Sequence, residues 1–264
     1  MRLRRAILPE VLPAVHPNKQ ALRKALKVRL AFSFFFAAQR GFDASLSSRC
    51  RAFERVCKFW AANIGVWCAL DFEEWVEDHS AITEFGYSSI HWSDGAEVKD
   101  LGHFTVWENR MKRNGKHYSF GTSEEITNDE FKAKIADLLS GLQAHGPILL
   151  LFLVFHNPNQ DIKLESPMDA SVQELRDTMS SSGIFILDNV ALFGALMKES
   201  YRMHRLGQVC IQLGIETEYL HNAGNDAFYT LLALREMALG GLLESQRESR
   251  WPDSPTALLV QLPD

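Results

Sequence analysis

Hydrophobic residues change their spacing several times along the chain, and each change marks an element. From 45 to 63, "SLSSRCRAFERVCKFWAAN" sets Phe53, Val56, Cys57, Trp60 and Ala61 at helical spacing behind Ser and Arg, which predicts an amphipathic helix. "IGVWCALDFEEW" (64–75) and "AITEFGYSSIHW" (81–92) are rich in β-forming residues and flank the charged turn "EDHS", the pattern of a hairpin. "GHFTVWEN" (102–109) extends the hairpin to a three-stranded meander, and "RMKRNGKHYSFGTSEEI" (110–126) reads as a basic, turn-rich loop. "TNDEFKAKIADLLSGLQAHG" (127–146) has a cap and a helical period, with Gly146-Pro147 as its stop.

The run "PILLLFLVF" (147–155) is continuously apolar, as in strands buried on both faces of an α/β sheet. A helix over 166–179, a strand over 183–189, helices over 190–202 and 204–215, and a last helix over 226–240 follow. A meander followed by alternating strands and helices predicts an α/β fold, with a mixed sheet carrying helices on both faces. The chain therefore divides into an N-terminal extension (1–44), one domain (45–244) and a polar, proline-interrupted tail (245–264) that wraps the surface or frays.

Composition sharpens this division. Residues 1–60 hold 13 Lys and Arg against 3 Asp and Glu, whereas residues 61–264 hold 15 against 30. A basic leader thus precedes an acidic body. Three readings of the leader stand: a mitochondrial presequence, although it is poor in Ser and broken by Pro9, Pro13 and Pro17; a basic arm that neutralises nucleic-acid phosphates; or a helical extension packed on the domain. Cys50, Cys57, Cys68 and Cys210 have no paired metal-ligand spacing and read as reduced thiols of an intracellular protein, cytoplasmic or nuclear. "LAFSFFFAA" (30–38) is about half the ~20 apolar residues a membrane span needs, so no membrane partner is expected.

The candidate chemistry is carboxylate-rich. Asp71 and Glu73 lie two apart at the end of the first predicted strand, so their side chains share one face; a solvated strand end would show the same spacing. Asp161 follows the most hydrophobic strand, where α/β sheets place ligands, or else it caps the next helix. Asp226 opens the last helix five residues after His221. Carboxylates so arranged can hold two Mg²⁺ or Mn²⁺ ions about 3.5–4 Å apart for phosphodiester hydrolysis. An imidazole, with an ordinary pKa of about 6.5, can take the proton from an attacking water.

The order Asp-x-Glu, then Asp after "FHNPNQ", then His with four residues before a final Asp resembles the DEDDh family of 3′-to-5′ exonucleases, which has the ribonuclease H-like fold. The resemblance implies a five-stranded mixed sheet. It makes Asp71, Glu73, Asp161 and Asp226 the ligands of two divalent cations, Mg²⁺ or Mn²⁺, and His221 the general base. "LDFEEW", "ITEFGYS", "GHFTVWEN", "FGTSEEI" and "LHNAGNDAFYTLLALREMA" further resemble a fungal branch of that superfamily, the group of the quelling-associated exonuclease QIP, over about residues 60–240. That branch implies single-stranded RNA or DNA as substrate, RNA favoured, and an RNA-silencing protein as partner. A catalytically silent module that binds RNA or recruits partners is the alternative. Glu74 and Trp75 depart from the family pattern, which has a Thr shortly after the first Glu, and Asp188-Asn189 stands where relatives often read Asp-Thr.

Other residues carry less. His156 beside Asn157-Pro158 reads as a hydrogen-bonded turn residue; His103 and His117 stand alone and read as surface or sheet residues. Arg110, Lys112, Arg113 and Lys116 form either a backbone-contacting loop or a solvated one. Trp75, Tyr87 and Trp107 either stack on bases or pack within the sheet.

Overall fold

The computed structural model describes residues 44–144, 150–157, 173–174, 183–199 and 202–252. Compactness divides the chain into units of 1–44 and 45–264. The basic leader, Asp161 and almost all of the expected 166–179 helix lie outside the described residues.

Helix α1 (44–61) leads into β1 (Val66–Trp75), β2 (Asp78–Ser93) and β3 (Ala96–Val106), joined as an antiparallel meander. A 3₁₀ turn, Trp107–Lys112, follows, then β4 (Glu124–Ile126) and α2 (Asn128–Ala144). Strands β5 (Leu151–Phe155), β6 (Gln173–Glu174) and β7 (Ile184–Asp188) are parallel additions. Helices α3 (Asn189–Leu196), α4 (Leu206–Gln212), α5 (Ala223–Leu239) and α6 (Leu243–Arg250) complete the described residues.

The sheet runs β4-β3-β2-β1-β5-β7-β6. Its five central strands are those the hydrophobic pattern predicts, in the order of a ribonuclease H-like sheet, and the short β4 and β6 raise the expected five to seven among the described residues. Both additions were hidden for the same reason: three-residue and two-residue strands are too short to show a period. Gln173 and Glu174 pair in parallel with β7 instead of joining a helix. The tail expected from 245 is also helical as far as Arg250. There Arg247 reaches across to the last turn of α3, its Nε donating to Leu196 O (2.9 Å) and its Nη2 to Ala195 O, which satisfies carbonyls a helix end leaves free.

Burial on both faces sets the direction of every central strand. Trp67 and Ala69 of β1, Phe152 and Val154 of β5, and Phe185 and Leu187 of β7 pack against α1, α3, α4, α5 and α6. The alternate residues Cys68, Leu70, Leu151, Leu153, Ile184 and Ile186 pack against Ile135 and Leu142 of α2. Trp67, Phe152 and Phe185 are registered neighbours whose rings stack in a row, with centroids 4.0 Å and 5.5 Å apart. Such pairs add about 0.5–1.5 kcal/mol each beyond area burial. All four cysteines are free, and burial raises the Cys57 thiol to about 11. No helix among the described residues is long and apolar enough to cross a membrane.

Phe152 is central to this row and fully buried. Replacing it with Ala is expected to cost about 3–5 kcal/mol, read as a lowered urea midpoint with little change in slope.

Candidate active site

The face of β1 that carries Trp67 and Ala69 into the core continues, by strand alternation, to Asp71 and Glu73. Cross-strand register then lays two rows across the sheet: Asp71 opposite Gly86 opposite His103, and Glu73 opposite Glu84 opposite Thr105. Directly opposed residues in antiparallel strands share a face. Beyond Glu73 the pairing of β1 with β2 shifts register twice, a bulge of the kind that re-aims side chains beside functional sites.

Helix α5 lands on these rows with its first turn. Gly86 makes room: a Cβ there would lie 2.2 Å from the Ala223 carbonyl group. A Cβ added at Gly224 would likewise lie 2.6 Å from the Tyr118 ring and 2.8 Å from His103 Cβ. Asn222 is the helix cap, its Oδ1 accepting from Asn225 N at 3.2 Å. The helix therefore begins three residues before the expected 226, and Asp226 lies inside its first turn.

Beneath that turn is a buried ionic cluster absent from the expected site. The Glu84 side chain is fully buried; its Oε2 lies 3.0 Å from His103 Nε2 and accepts from Asn222 Nδ2 (2.9 Å) and Ala223 N (3.4 Å). Its Oε1 accepts from Arg113 Nε at 2.8 Å. Burial pulls this carboxyl upward, but the hydrogen bonds and charges of His103 and Arg113 outweigh burial, so it stays below the usual carboxylate range. His103, expected as a surface or sheet residue, is a buried sheet residue hydrogen-bonded to Glu84, held from its other side by Ser123 Oγ at 2.8 Å. Periodicity alone gives no sign of this, because Glu84 and His103 sit 19 residues apart.

The structure brings three of the expected site residues together. Ligand atoms of Glu73, His221 and Asp226 all lie within 4.8 Å of one another, close to the roughly 4.2 Å between opposite ligands of an octahedral Mg²⁺ at about 2.1 Å. Asp71 shares the face but is not in that group. Both Asp226 oxygens accept from His221 N at 3.2 Å. The exposed His221 has a left-handed φ of 68°, and Tyr219 one of 50°, conformations that cost non-glycine residues of order 1–2 kcal/mol. The loop before α2 braces the turn: Asn114 Nδ2 donates to His221 O, and Asn225 Nδ2 donates to His117 O (2.8 Å) and Tyr219 O (3.0 Å).

Desolvation, helped by the nearby Glu84 charge and opposed by the His221 N–H bond, pushes Asp226 up to about 7. A buried carboxylate so disfavoured as an anion is suited to a divalent cation, and hard oxygen donors match Mg²⁺ or Mn²⁺. Just past the end of β5, the strand beside β1, His156 Nε2 lies 2.7 Å from His204 O, as expected of a turn histidine, and burial lowers its pKa. Asp188 caps α3 through Val190 N (2.9 Å); burial raises its pKa.

The family described as DEDDh_C, DNA polymerase III subunit epsilon-like, C-terminal domain, matches residues 66–237. The chain belongs to this DEDDh family. It is 26% identical over 178 residues to the uncharacterized nucleolar protein C2C4.08 of Schizosaccharomyces pombe, covering 64% of this chain and 67% of that one. Similar solved structures include E. coli exonuclease I in complex with an oligonucleotide (TM-score 0.41, 13% identity, 69% of this chain and 42% of that one). The exonuclease I of Methylocaldum szegediense is another (TM-score 0.42, 13% identity, 72% and 42%). The chain thus spans less than half the length of these exonuclease I chains.

Two outcomes follow from the geometry of the site. Gly86→Ala is expected to destabilise by at least about 1–3 kcal/mol through overpacking, whereas Gly141→Ala on the open face of α2, with nothing within 4 Å, should stabilise by about 0.5–1 kcal/mol; thermal unfolding distinguishes them. Asp226 in the folded, metal-free protein keeps a proton that the unfolded chain loses above about pH 4. Its contribution to stability therefore falls as pH rises from about 4 to about 7. Denaturant unfolding in EDTA across that window should show a shallower decline for Asp226→Asn.

Proposed function

We propose that the protein is a divalent-metal-dependent 3′-to-5′ exonuclease that hydrolyses single-stranded nucleic acid, RNA by preference, to nucleoside 5′-monophosphates. The observation that carries this reading is the convergence of Glu73, His221 and Asp226 within 4.8 Å at the first turn of α5, in a chain of the DEDDh family. Glu73 and Asp226 would hold the cations, two Mg²⁺ or Mn²⁺, with Asp71 and Asp161 completing the ligand set. A cation there supplies Lewis acidity at the phosphoryl oxygens.

The chain's own residues do the rest. His221, exposed and beside both carboxylates, takes the proton from the attacking water. The Asp226 carboxylate, accepting from His221 N, ties the backbone of the base to a metal ligand, so both move as one turn. The fungal-branch wording of the motifs supports RNA over DNA, and the nucleolar relative supports a nuclear site of action.

The test uses a 5′-labelled oligonucleotide incubated with the protein in Mn²⁺, Mg²⁺ or EDTA. Shortening from the 3′ end in metal, absent in EDTA and reduced about 10²–10⁴-fold in His221→Ala, is expected. Binding without shortening in either metal would instead establish the silent RNA-binding module.

A further inference from the structure

The basic segment after β3 is fastened both to β2 and to the turn that carries His221. Its Asn109 Nδ2 donates to Ile82 O (2.7 Å), Arg113 Nε to buried Glu84 (2.8 Å) and Asn114 to the carbonyl of His221. Asn222 Nδ2 reaches Lys116 O (3.5 Å), and Ser119 N donates to Asn225 Oδ1 (2.9 Å). Glu84 stands directly opposite Glu73 across β1 and β2, with Cβ atoms about 5 Å apart in such a pair. Arg113 is therefore held one side-chain pair away from a proposed metal ligand, with about a quarter of its side chain exposed.

The charges of this segment are unusual for the body around it. Residues 61–264 carry twice as many acidic as basic groups, yet Arg110, Lys112 and Lys116 have no carboxylate within 4 Å among the described residues. Arg110 lies over the Trp107 ring at 3.7 Å and Lys112 over Trp75 at 4.8 Å. Trp107 is 46% exposed and Tyr219, next but one to His221, is 51% exposed. His117 meets the Tyr219 ring edge-on, with centroids 5.8 Å apart. Partly exposed aromatic rings interleaved with cations that have no carboxylate partner among the described residues suit a strand whose bases are unstacked, because a duplex keeps its base faces covered.

We propose that this segment is the track along which a single nucleic-acid strand reaches the site, with phosphates on Lys112, Arg113 and Lys116 and bases on Trp107 and Tyr219. Glu84 orients the Arg113 fork, and that same carboxylate holds the cap of α5. Phosphate grip and catalytic turn thus share one buried anchor. The inference rests on the nuclease reading for its orientation toward the site, but strand binding can be measured without catalysis.

Binding of a fluorescent single strand about 15 nucleotides long, within the span of common single-strand sites, is followed by anisotropy in EDTA over a salt series, with folding checked by circular dichroism. The double variant Lys112→Glu/Lys116→Glu is expected to bind at least about tenfold more weakly, with a log–log salt slope shallower by about 1.4, or about 0.7 for each single-strand phosphate no longer neutralised. Trp107→Ala should weaken binding without altering that slope. Lys132→Glu on α2 serves as the control and should match the wild type. Variants that bind like the control, a wild-type protein that does not bind in EDTA, or equal losses on a duplex of the same length would overturn the track. If the losses appear but no oligonucleotide is shortened in Mn²⁺, the track stands and the exonuclease reading fails. If the variants bind normally while the wild type shortens the strand, the exonuclease reading stands and the track fails.

Discussion

The Glu84 carboxylate is the constraint on which the site depends. It is buried without exposure on the central face of β2 and accepts hydrogen bonds from three separate parts of the chain: His103 on β3, Arg113 in the segment beyond it, and Asn222 with Ala223 at the start of α5. A buried carboxylate is tolerable only when paired and fully hydrogen-bonded, so each partner is needed by the anion as much as it needs the anion. Losing one partner of such a pair costs about 3–5 kcal/mol. The first turn of α5 is therefore not free to slide along the sheet, and Gly86 lets it approach within backbone contact.

Charge balance follows from that arrangement. Glu73, Glu84 and Asp226 gather on one face, and the helix dipole at the start of α5 favours an anion there. Arg113, and His103 when protonated, answer Glu84, which leaves Asp226 under repulsion and desolvation with only an N–H bond to offset them. The left-handed turn at Tyr219 and His221 persists because Asn114, Asn222 and Asn225 fix it from both sides.

The hydrophobic pattern made the central strands legible, because strands buried on both faces are read from their apolar runs and the meander from its alternation. His221 and Asp226 were legible through spacing, since a helix cap and its first turn lie close in sequence. Glu84 and His103 were not: "TEFGYSS" and "GHFTV" look like ordinary strand segments, and only register places Glu84 opposite Glu73 and His103 opposite Gly86. Helix α6 was hidden for a related reason. Its polar sequence reads as a tail, and what holds it is one arginine capping a distant helix together with the buried Leu243 and Gln246.

A shared anchor also restricts how such a site can change over evolutionary time. With Glu84, His103, Arg113 and Asn222 satisfying one another, altering any one of them alone strands a buried charge or uncaps a helix. In descendants of this chain these four positions are expected to drift as a set or stay fixed, while half-buried Lys112 and exposed Lys116 beside them vary one at a time. The two lysines can therefore change without passing through an unfolded intermediate sequence.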